Sequence, residues 1–403
     1  MKLQIDKIVQ INDLNQKKEK LARLLNINFT KIEWQKKGTD YIANYNDTVF
    51  YSESNQHVIA ASKLMRIPIE LWFMWASVVR LYGGTNSIVD IPLNRKLQIF
   101  KKAFHTIIEP YYEEEKINHI PKVTSCFNCR KKDYLESFSR IYNGKKYWVY
   151  ICSNCGMGIR FPKGEKEDLE GIYRHNDYFT GKTTQRGYFD YDKEASWRIK
   201  KGKDYLQKLE KVINIDPKTS FVLDLGSGYG YFLKALDDNG YLNLGIELSP
   251  EAVDIAVRKY KTKTICGTIV RLYREGKVHD CQFDLITLWD VIEHFYDFNE
   301  ELEILSRILK PGGYIALRTN NLQSIEFEVF GKFFHSIKDE HTFYFSPNTL
   351  CEIFAKYQIQ EYKTWTHTHM FLAYMSKSER DSIDALCKGG DIFYIGKKKH
   401  EKN

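Results

Sequence analysis

No long apolar run interrupts this 403-residue chain. The longest, around residues 67–79, is broken by Glu70 and is too short to span a bilayer, so membrane insertion is not expected. A secretory leader is not expected either, because Met1-Lys-Leu-Gln-Ile-Asp6 meets an acid before any apolar stretch develops. The expectation is a soluble, cytoplasmic protein. Internal repeats and low-complexity tracts are absent, which excludes solenoid and array architectures. Charge of one sign does not dominate either. The 60 Lys+Arg and 52 Asp+Glu leave a net charge of +8, dense only at Lys397-Lys-Lys-His400. That mild excess suits an anionic small molecule or a nucleic acid, and a solvated surface equally well. The length allows two or three domains.

Cysteine is present in an informative pattern. Of eight cysteines, four fall in two pairs, Cys126-Phe-Asn-Cys129 and Cys152-Ser-Asn-Cys155. Between them lies a hairpin signal at Asn143-Gly144. Two such knuckles on a short two-stranded unit can converge four thiolates on a tetrahedral zinc ion. Disulfides are the alternative, disfavoured in a reducing compartment. Cys266, Cys281, Cys351 and Cys387 sit in apolar contexts and are expected to be ordinary buried or half-buried residues.

The first 118 residues read as a mainly helical auxiliary domain of unknown role, able to pack on a neighbouring domain or a second subunit. Helical patterns cover Asp13 to Leu25, His57–Met65, Ile69–Leu81 and Asn94–Ile108, with a strand pair near Tyr41 to Tyr51. Ala60 to Pro68 could open a helix-turn-helix. A four-cysteine ribbon follows over 119–165. Residues 166–219 form a linker with helices at Lys166–Tyr173 and Ala195–Ile213. Beyond 220, strands and helices alternate, which implies an α/β layer with a mostly parallel sheet covered on both faces. Strands are expected at 221–225, 242–247, 263–266, 283–289, 313–319, 358–366 and 391–396, the last inserted antiparallel. Helices are expected at Ser346–Lys356 and over the polar stretch Ser376 to Gly389.

The densest signal is Phe221-Val-Leu-Asp-Leu-Gly-Ser-Gly-Tyr-Gly-Tyr-Phe232, an apolar strand running into a glycine-rich turn that opens a helix. Gly226, Gly228 and Gly230 allow a tight turn and close approach to a ligand. A second strand ends at Gly245-Ile-Glu247, where an acid can hold the two hydroxyls of a ribose. Asp224 inside the first strand suits an amino-acid moiety better than a pyrophosphate, which needs amide donors and no adjacent negative charge.

Four motifs in this order, Asp224-Leu-Gly-Ser-Gly-Tyr-Gly230, Glu247-Leu-Ser-Pro250, Trp289-Asp-Val-Ile-Glu-His294 and Leu309-Lys-Pro-Gly-Gly313, resemble the class I S-adenosylmethionine (SAM)-dependent methyltransferases. The four-cysteine unit followed by Tyr178-Phe179 is similar to the leader of a bacterial small-molecule branch, in which the aromatic loop lies over the SAM pocket. The resemblance implies a Rossmann-like seven-stranded domain over 220–403. Asp224, Gly226, Ser227, Gly228 and Gly230 would shape the methionine end, Glu247 would take the ribose and Leu248 the adenine face. Tyr178 and Asp290 would complete the cofactor site. Cys266-Gly-Thr-Ile269 stands where relatives often carry an acid on the adenine amine, so that contact falls to backbone groups.

Two histidines are the catalytic candidates. Asp339-Glu-His-Thr-Phe-Tyr-Phe-Ser346 resembles the Glu-His-x-x-Tyr-Phe-Ser signature of sugar C-methyltransferases, which implies His341 as general base, although Lys338 replaces their tyrosine. His294 closes the fourth strand and would contact substrate or cofactor. Neither an Asn/Asp-Pro-Pro-aromatic motif nor a Pro-Cys nucleophile is present, which argues against amino- or C5-methylation of DNA bases. The expected reaction is methyl transfer to a small acceptor, an activated sugar or another cell-surface precursor, with oxygen favoured over carbon. An RNA methyltransferase using the ribbon for recognition is the alternative. A SAM-binding scaffold without turnover is a third.

Overall fold

The computed structural model describes strand segments between residues 9 and 82, Asn94, Gln98, Lys101, and residues 125–132, 134–142, 145–174, 177–180, 191–334, 336–368 and 377–400. Two compact units emerge. One comprises residues 121–323, 338–367 and 390–403; the other comprises residues 1–120, 324–337 and 368–389. The cysteine ribbon and the α/β layer thus share a unit, and two segments of the expected 220–403 domain group with the N-terminal residues.

In the N-terminal unit the described residues form a six-stranded sheet of β1 (Val9–Gln10), β2 (Glu33–Lys37), β3 (Asp40–Tyr45), β4 (Thr48–Glu53), β5 (His57–Ser62) and β6 (Val79–Tyr82), in the order β1-β6-β5-β4-β3-β2. This corrects the helical reading over His57–Ser62; residues 63–65, and most of the Ala60–Pro68 stretch that could open a helix-turn-helix, lie outside the described residues. His57-Val-Ile-Ala-Ala-Ser62 carries a β-branched pair, and each of its residues has a partner on β4. It corrects the end of the 69–81 pattern as well. Asn94, Gln98 and Lys101 are helical and exposed, as the pattern over 94–108 expects for one outer face. The 13–25 pattern lies outside the described residues.

The second unit opens with β7 (Tyr134–Tyr142), β8 (Lys145–Cys152) and β9 (Gly158–Phe161), followed by α1 (Lys166–Arg174), α2 (Asp177–Thr180) and α3 (Ala195–Val212). The pairing of Tyr142 with Lys145 fits the hairpin expected at Asn143-Gly144, which itself lies outside the described residues. The main layer follows as β10 (Phe221–Leu225), α4 (Tyr231–Asp238), β11 (Leu242–Glu247), α5 (Pro250–Tyr260), β12 (Thr264–Cys266), α6 (Ile269–Arg274), β13 (Phe283–Trp289), α7 (Phe298–Ile308) and β14 (Leu309–Asn320). Then come β15 (Phe343–Tyr344), α9 (Pro347–Lys356), β16 (Ile359–His367) and β17 (Asp391–Lys398), while α8 (Ile325–Phe330) and α10 (Lys377–Ala385) belong to the N-terminal unit.

The seven-stranded sheet has the order β12-β11-β10-β13-β14-β17-β16. Its first five strands are parallel, and β17 runs antiparallel between β14 and β16. Alternate residues feed two cores. Leu223, Ile286, Leu288, Ile315 and Leu317 join one, while Val222, Leu285, Ala316 and Ile395 join the other. That period of two with both faces apolar is the signature of a sheet sandwiched by helices. The chain leaves β10 toward β11 and β12 on one side and returns as β13 and β14 on the other. This topological switch opens a crevice at the carboxyl ends of β10 and β13.

Local signals fix the turns around it. Gly230 caps α4 with φ +79°, Ser249 caps α5 by accepting from the Ala252 amide, and Pro250 fills the first turn. The ribbon has its own sheet, β15-β9-β8-β7, in which Phe343 pairs with Ile159 and Tyr344 with Gly158. Among the described residues no helix is long and apolar enough to cross a membrane.

Candidate active site and cysteine cluster

The crevice widens into a cavity of about 250 Å³ at the ends of β10, β11 and β13. Of the cofactor residues expected from the sequence, Asp224, Gly226, Ser227, Gly228, Glu247, Leu248, Asp290 and Tyr178 line it, and Gly230 does not. Gly230 instead shapes the turn, where an added Cβ would come within 2.9 Å of Thr262 Oγ1. Gly226 has φ +71°, and a Cβ there would meet Val291 Cγ2 at 2.5 Å. Gly228 has φ +53° and would press on the Tyr191 hydroxyl at 3.0 Å. Both positions demand glycine for conformation as well as space.

Glu247 is buried, and its two carboxylate oxygens accept from the Gly228 amide (2.8 Å) and the Ser249 amide (2.9 Å). Each oxygen keeps a second acceptor site, enough for two ribose hydroxyls. Burial raises its pKa, and the backbone donors oppose the rise. Asp224 is driven up to about 7 chiefly by burial, although Thr287 Oγ1 donates to its Oδ1 at 2.7 Å. Buried Ser227 Oγ has no hydrogen-bond partner among the described residues. An open hydroxyl, two acids and a cradle that no side chain can fill match the needs of an amino-acid nucleoside. Gly267, Thr268 and Ile269 line the cavity beside Leu248, where no acid replaces the missing adenine contact.

Asp290 reaches the cavity with φ +60°, but its carboxylate pairs with Arg318, which also binds Asp391 at 2.6 Å. It therefore acts within a strand-to-strand network rather than as a free acid. Sequence reasoning anticipated Tyr178 and Phe179 but missed other members of the aromatic wall, among them Tyr173, Tyr191, Tyr205 and Trp289. Phe179, Tyr191 and Tyr229 have ring centroids 4.9–5.3 Å apart. Lys201 of α3 also lines the cavity, its pKa lowered to about 8 mainly by burial. Only an amphipathic period in α3 could have pointed to Tyr205 and Lys201, and it does not tell cavity from core.

The two histidines take different places. His294, in a 3-10 turn after β13, lines the cavity, whereas buried His341 is absent from the lining. His341 packs edge-to-face on His294 with centroids 4.7 Å apart. His294 Nδ1 lies 3.0 Å from the Glu340 carbonyl oxygen and 2.7 Å from the Tyr173 hydroxyl. A carbonyl can only accept, so the tautomer that satisfies both contacts carries its proton on Nδ1 and a lone pair on Nε2. Burial lowers the imidazole to about 4, so it is neutral at physiological pH. Buried Glu293 accepts from Thr319 Oγ1 at 2.9 Å, and burial raises it to about 8. Glu293, His294 and His341 each bring a ligand-type atom within 4.8 Å of the others, a donor set that could hold a cation.

The four ribbon cysteines also converge within 4.8 Å. Sγ atoms of Cys126 and Cys155, and of Cys129 and Cys152, are 3.5 Å apart. A tetrahedral zinc–thiolate site sets roughly 3.8 Å between sulfurs, and a disulfide about 2.05 Å. The geometry fits zinc and not a bridge. Each knuckle closes through an amide, Arg130 to the Cys126 carbonyl and Gly156 to the Cys152 carbonyl, and both donors have positive φ.

The ribbon is tied to the loop that carries His341. Besides the β9–β15 pairing, the Arg160 amide donates to the Thr342 carbonyl (2.9 Å), and the Thr342 amide donates to the Glu293 carbonyl (2.8 Å). Thr349 Oγ1 in α9 donates to the Cys155 carbonyl at 2.7 Å.

Residues 195–360 match a family described as "Methyltransferase domain". The chain is 30% identical over 102 residues to a ubiquinone biosynthesis O-methyltransferase of Thiobacillus denitrificans, which covers 25% of this chain and 44% of that protein. The counterpart from Coxiella burnetii is 27% identical over 121 residues, 29% of this chain and 49% of its own. The chain thus spans about half the length of the curated relatives it matches. A SAM-dependent methyltransferase from Archaeoglobus fulgidus superposes with TM-score 0.40 and 18% identity, covering 52% of this chain and all of that one. Taken with the glycine turn, Glu247 and the sheet order, the match over 195–360 shows that the chain carries a class I SAM-dependent methyltransferase domain.

Proposed function

We propose that this protein transfers a methyl group from SAM to a hydroxyl oxygen of a small-molecule acceptor, with His294 as the base. The observation that carries the reading is the 3.0 Å contact of His294 Nδ1, on a cavity-lining imidazole, with the Glu340 carbonyl; it favours a proton on Nδ1 and a basic Nε2. SAM, when bound, supplies an electrophilic methyl on sulfur, open to in-line displacement. The chain's own residues hold and orient. Glu247 would bind the ribose, Asp224 and Ser227 the amino-acid end, and the tyrosine wall would exclude water. His294 would receive the acceptor's proton at Nε2. Oxygen as the acceptor atom is supported by the names of the matched relatives, both O-methyltransferases. An activated sugar or another cell-surface precursor stays the acceptor class proposed.

His341 would act as a positioning residue, buttressing the His294 ring and the loop that supplies the Glu340 carbonyl. Cys126, Cys129, Cys152 and Cys155 would hold a structural zinc ion, whose binding can contribute about 10 kcal/mol or more to folding of a small unit.

The test is to incubate the purified protein with methyl-labelled SAM and a cell lysate, then separate small molecules, nucleic acid and protein. Label in the small-molecule fraction is expected. Label in RNA or DNA overturns the acceptor class, and SAM binding without label in any fraction supports a scaffold instead.

A further inference from the structure

Trp197, Lys201 and Tyr205 follow one another at steps of four along α3 and so share one face of the helix. Lys201 and Tyr205 both line the cavity. The Lys201 ammonium lies 5.1 Å from the Trp197 ring centroid and 5.4 Å from that of Tyr205. It makes no hydrogen bond or ion pair among the described residues, and the Tyr205 hydroxyl has no hydrogen-bond partner there either.

The charges around Lys201 are already matched to one another. Arg198 is bound to Glu194 at 2.6 Å, and Arg318 joins Asp290 to Asp391. With Lys201 the group counts three cations and three acids, yet Lys201 alone of the six has no ion-pair partner in contact. The other acids on the lining, Asp224, Glu247 and Glu301, make no ion pair with it. Burial, ahead of the Arg318 charge, lowers its pKa to about 8, so the ammonium form prevails at neutral pH. A carboxylate or phosphate offers several acceptor sites to an ammonium and a phenol at once, and it compensates the buried charge. A ligand hydroxyl does the first in part and the second not at all.

Placement in the sheet indicates which ligand brings the anion. Tyr205 packs on Trp289, the last residue of β13, with centroids 4.7 Å apart, and on Phe393 of β17 at 5.6 Å. The glycine turn after β10 and Glu247 at the end of β11 lie on the other side of the topological switch, whereas His294 follows β13. Building on the reading of the protein as a small-molecule methyltransferase, we propose that Lys201 and Tyr205 bind an anionic group, carboxylate or phosphate, carried by the acceptor. The cofactor's own carboxylate is the competing source, because α3 also touches the start of α4. A Cβ on Gly202 would come within 3.2 Å of the Tyr231 carbonyl oxygen.

The acceptor's charge is read first, on wild-type protein. A small-molecule extract is split on an anion exchanger at neutral pH, and each fraction is tested with methyl-labelled SAM. Acceptor activity should lie in the retained fraction, and the labelled product should itself be retained. Prior digestion with phosphodiesterase and phosphatase removes that activity if the anion is a phosphate and spares it if it is a carboxylate. Acceptor activity in the flow-through of the undigested extract overturns the proposal. No label even from the unfractionated extract instead overturns the underlying methyltransferase reading.

Variants assign the anion to the two side chains. With the retained fraction as acceptor, Lys201→Met should raise KM about tenfold or more, the loss expected of a charged contact. Its kcat should change less than about threefold, and calorimetry should show S-adenosylhomocysteine bound as in the wild type. Tyr205→Phe keeps the ring packing and should raise KM by a smaller factor of about three to ten. Unchanged KM in Lys201→Met, or in Tyr205→Phe where the first variant does not fold, removes the proposal. A tenfold or larger loss of S-adenosylhomocysteine affinity in Lys201→Met assigns the ammonium to the cofactor's carboxylate and overturns it equally.

Discussion

The Glu340 carbonyl oxygen accepts from His294 Nδ1 at 3.0 Å, and this contact decides which nitrogen of the ring is basic. A positioned general base contributes about 10²–10⁴-fold to rate. His294→Ala should therefore lower kcat by roughly that factor, while calorimetry shows S-adenosylhomocysteine bound as in the wild type. Tyr173→Phe removes one partner of Nδ1 and leaves the other, so a loss of about tenfold is expected from one hydrogen bond. His341→Ala should fall between the two. Equal rates in His294→Ala and wild type would remove the base assignment.

The pH profile follows from the same burial. His294 is lowered to about 4, so the base form persists down to that pH. The acid limb of kcat should lie near pH 4, well below the 6.5 of an exposed histidine. A limb at 6.5 would mean that the imidazole titrates in water and not in the cavity.

Cofactor affinity should rest on Glu247 and the glycine turn. Charge-assisted hydrogen bonds contribute roughly 1.5–3 kcal/mol, so Glu247→Ala should weaken SAM about ten- to a hundredfold. Gly226→Ala combines a left-handed φ with a 2.5 Å contact to Val291 and should reduce both SAM affinity and stability. Unchanged SAM affinity in Glu247→Ala would remove the ribose assignment.

Much of this site was legible before any coordinates, for a local reason. Asp224 to Gly230 and Glu247 are contiguous signals, and each strand with its turn encodes its own place in a parallel layer. The two histidines were not separable that way. His341 sits in the stronger motif, yet only the pairing of β9 with β15 sets its loop behind His294 rather than in the cavity. Glu301, Lys201, Tyr173 and Tyr205 come from helices whose amphipathic pattern is the same whether the inward face meets core or ligand. The N-terminal strands were misread where short apolar runs fit periods of 2 and 3.6 alike.

Asp224 should make cofactor binding proton-linked. Its folded pKa of about 7 lies above the ordinary value of 3.8, so the folded state holds more protons between those values. Stability therefore falls as pH rises through that window. Glu293 and Glu301, both raised to about 8, add slope in the same direction. Asp224→Asn should raise stability at pH 8 by about 1–3 kcal/mol while weakening SAM. An ammonium group beside Asp224 favours the carboxylate, so SAM binding at pH 6 should release a proton. Calorimetry in buffers of different ionisation enthalpy measures it, and zero release would place the amino group elsewhere.

Zinc should matter to catalysis through the loop, not through the cofactor pocket. The Cys155 carbonyl accepts from Thr349, and β9 carries the pairing that holds Phe343 and Tyr344. Loss of the metal therefore loosens Asp339–Ser346 first, and with it the Glu340 carbonyl behind His294. One zinc per chain is expected by elemental analysis. Cys152→Ser should lose the metal, lower Tm, and speed hydrogen exchange at 339–346. Because that variant can fail to fold, Thr349→Val serves as a milder cut at the same joint. It should keep zinc and S-adenosylhomocysteine affinity while kcat drops several-fold. If metal removal leaves kcat intact, the ribbon stabilises only itself. If it abolishes cofactor binding instead, its influence runs through the sheet rather than through the histidine loop.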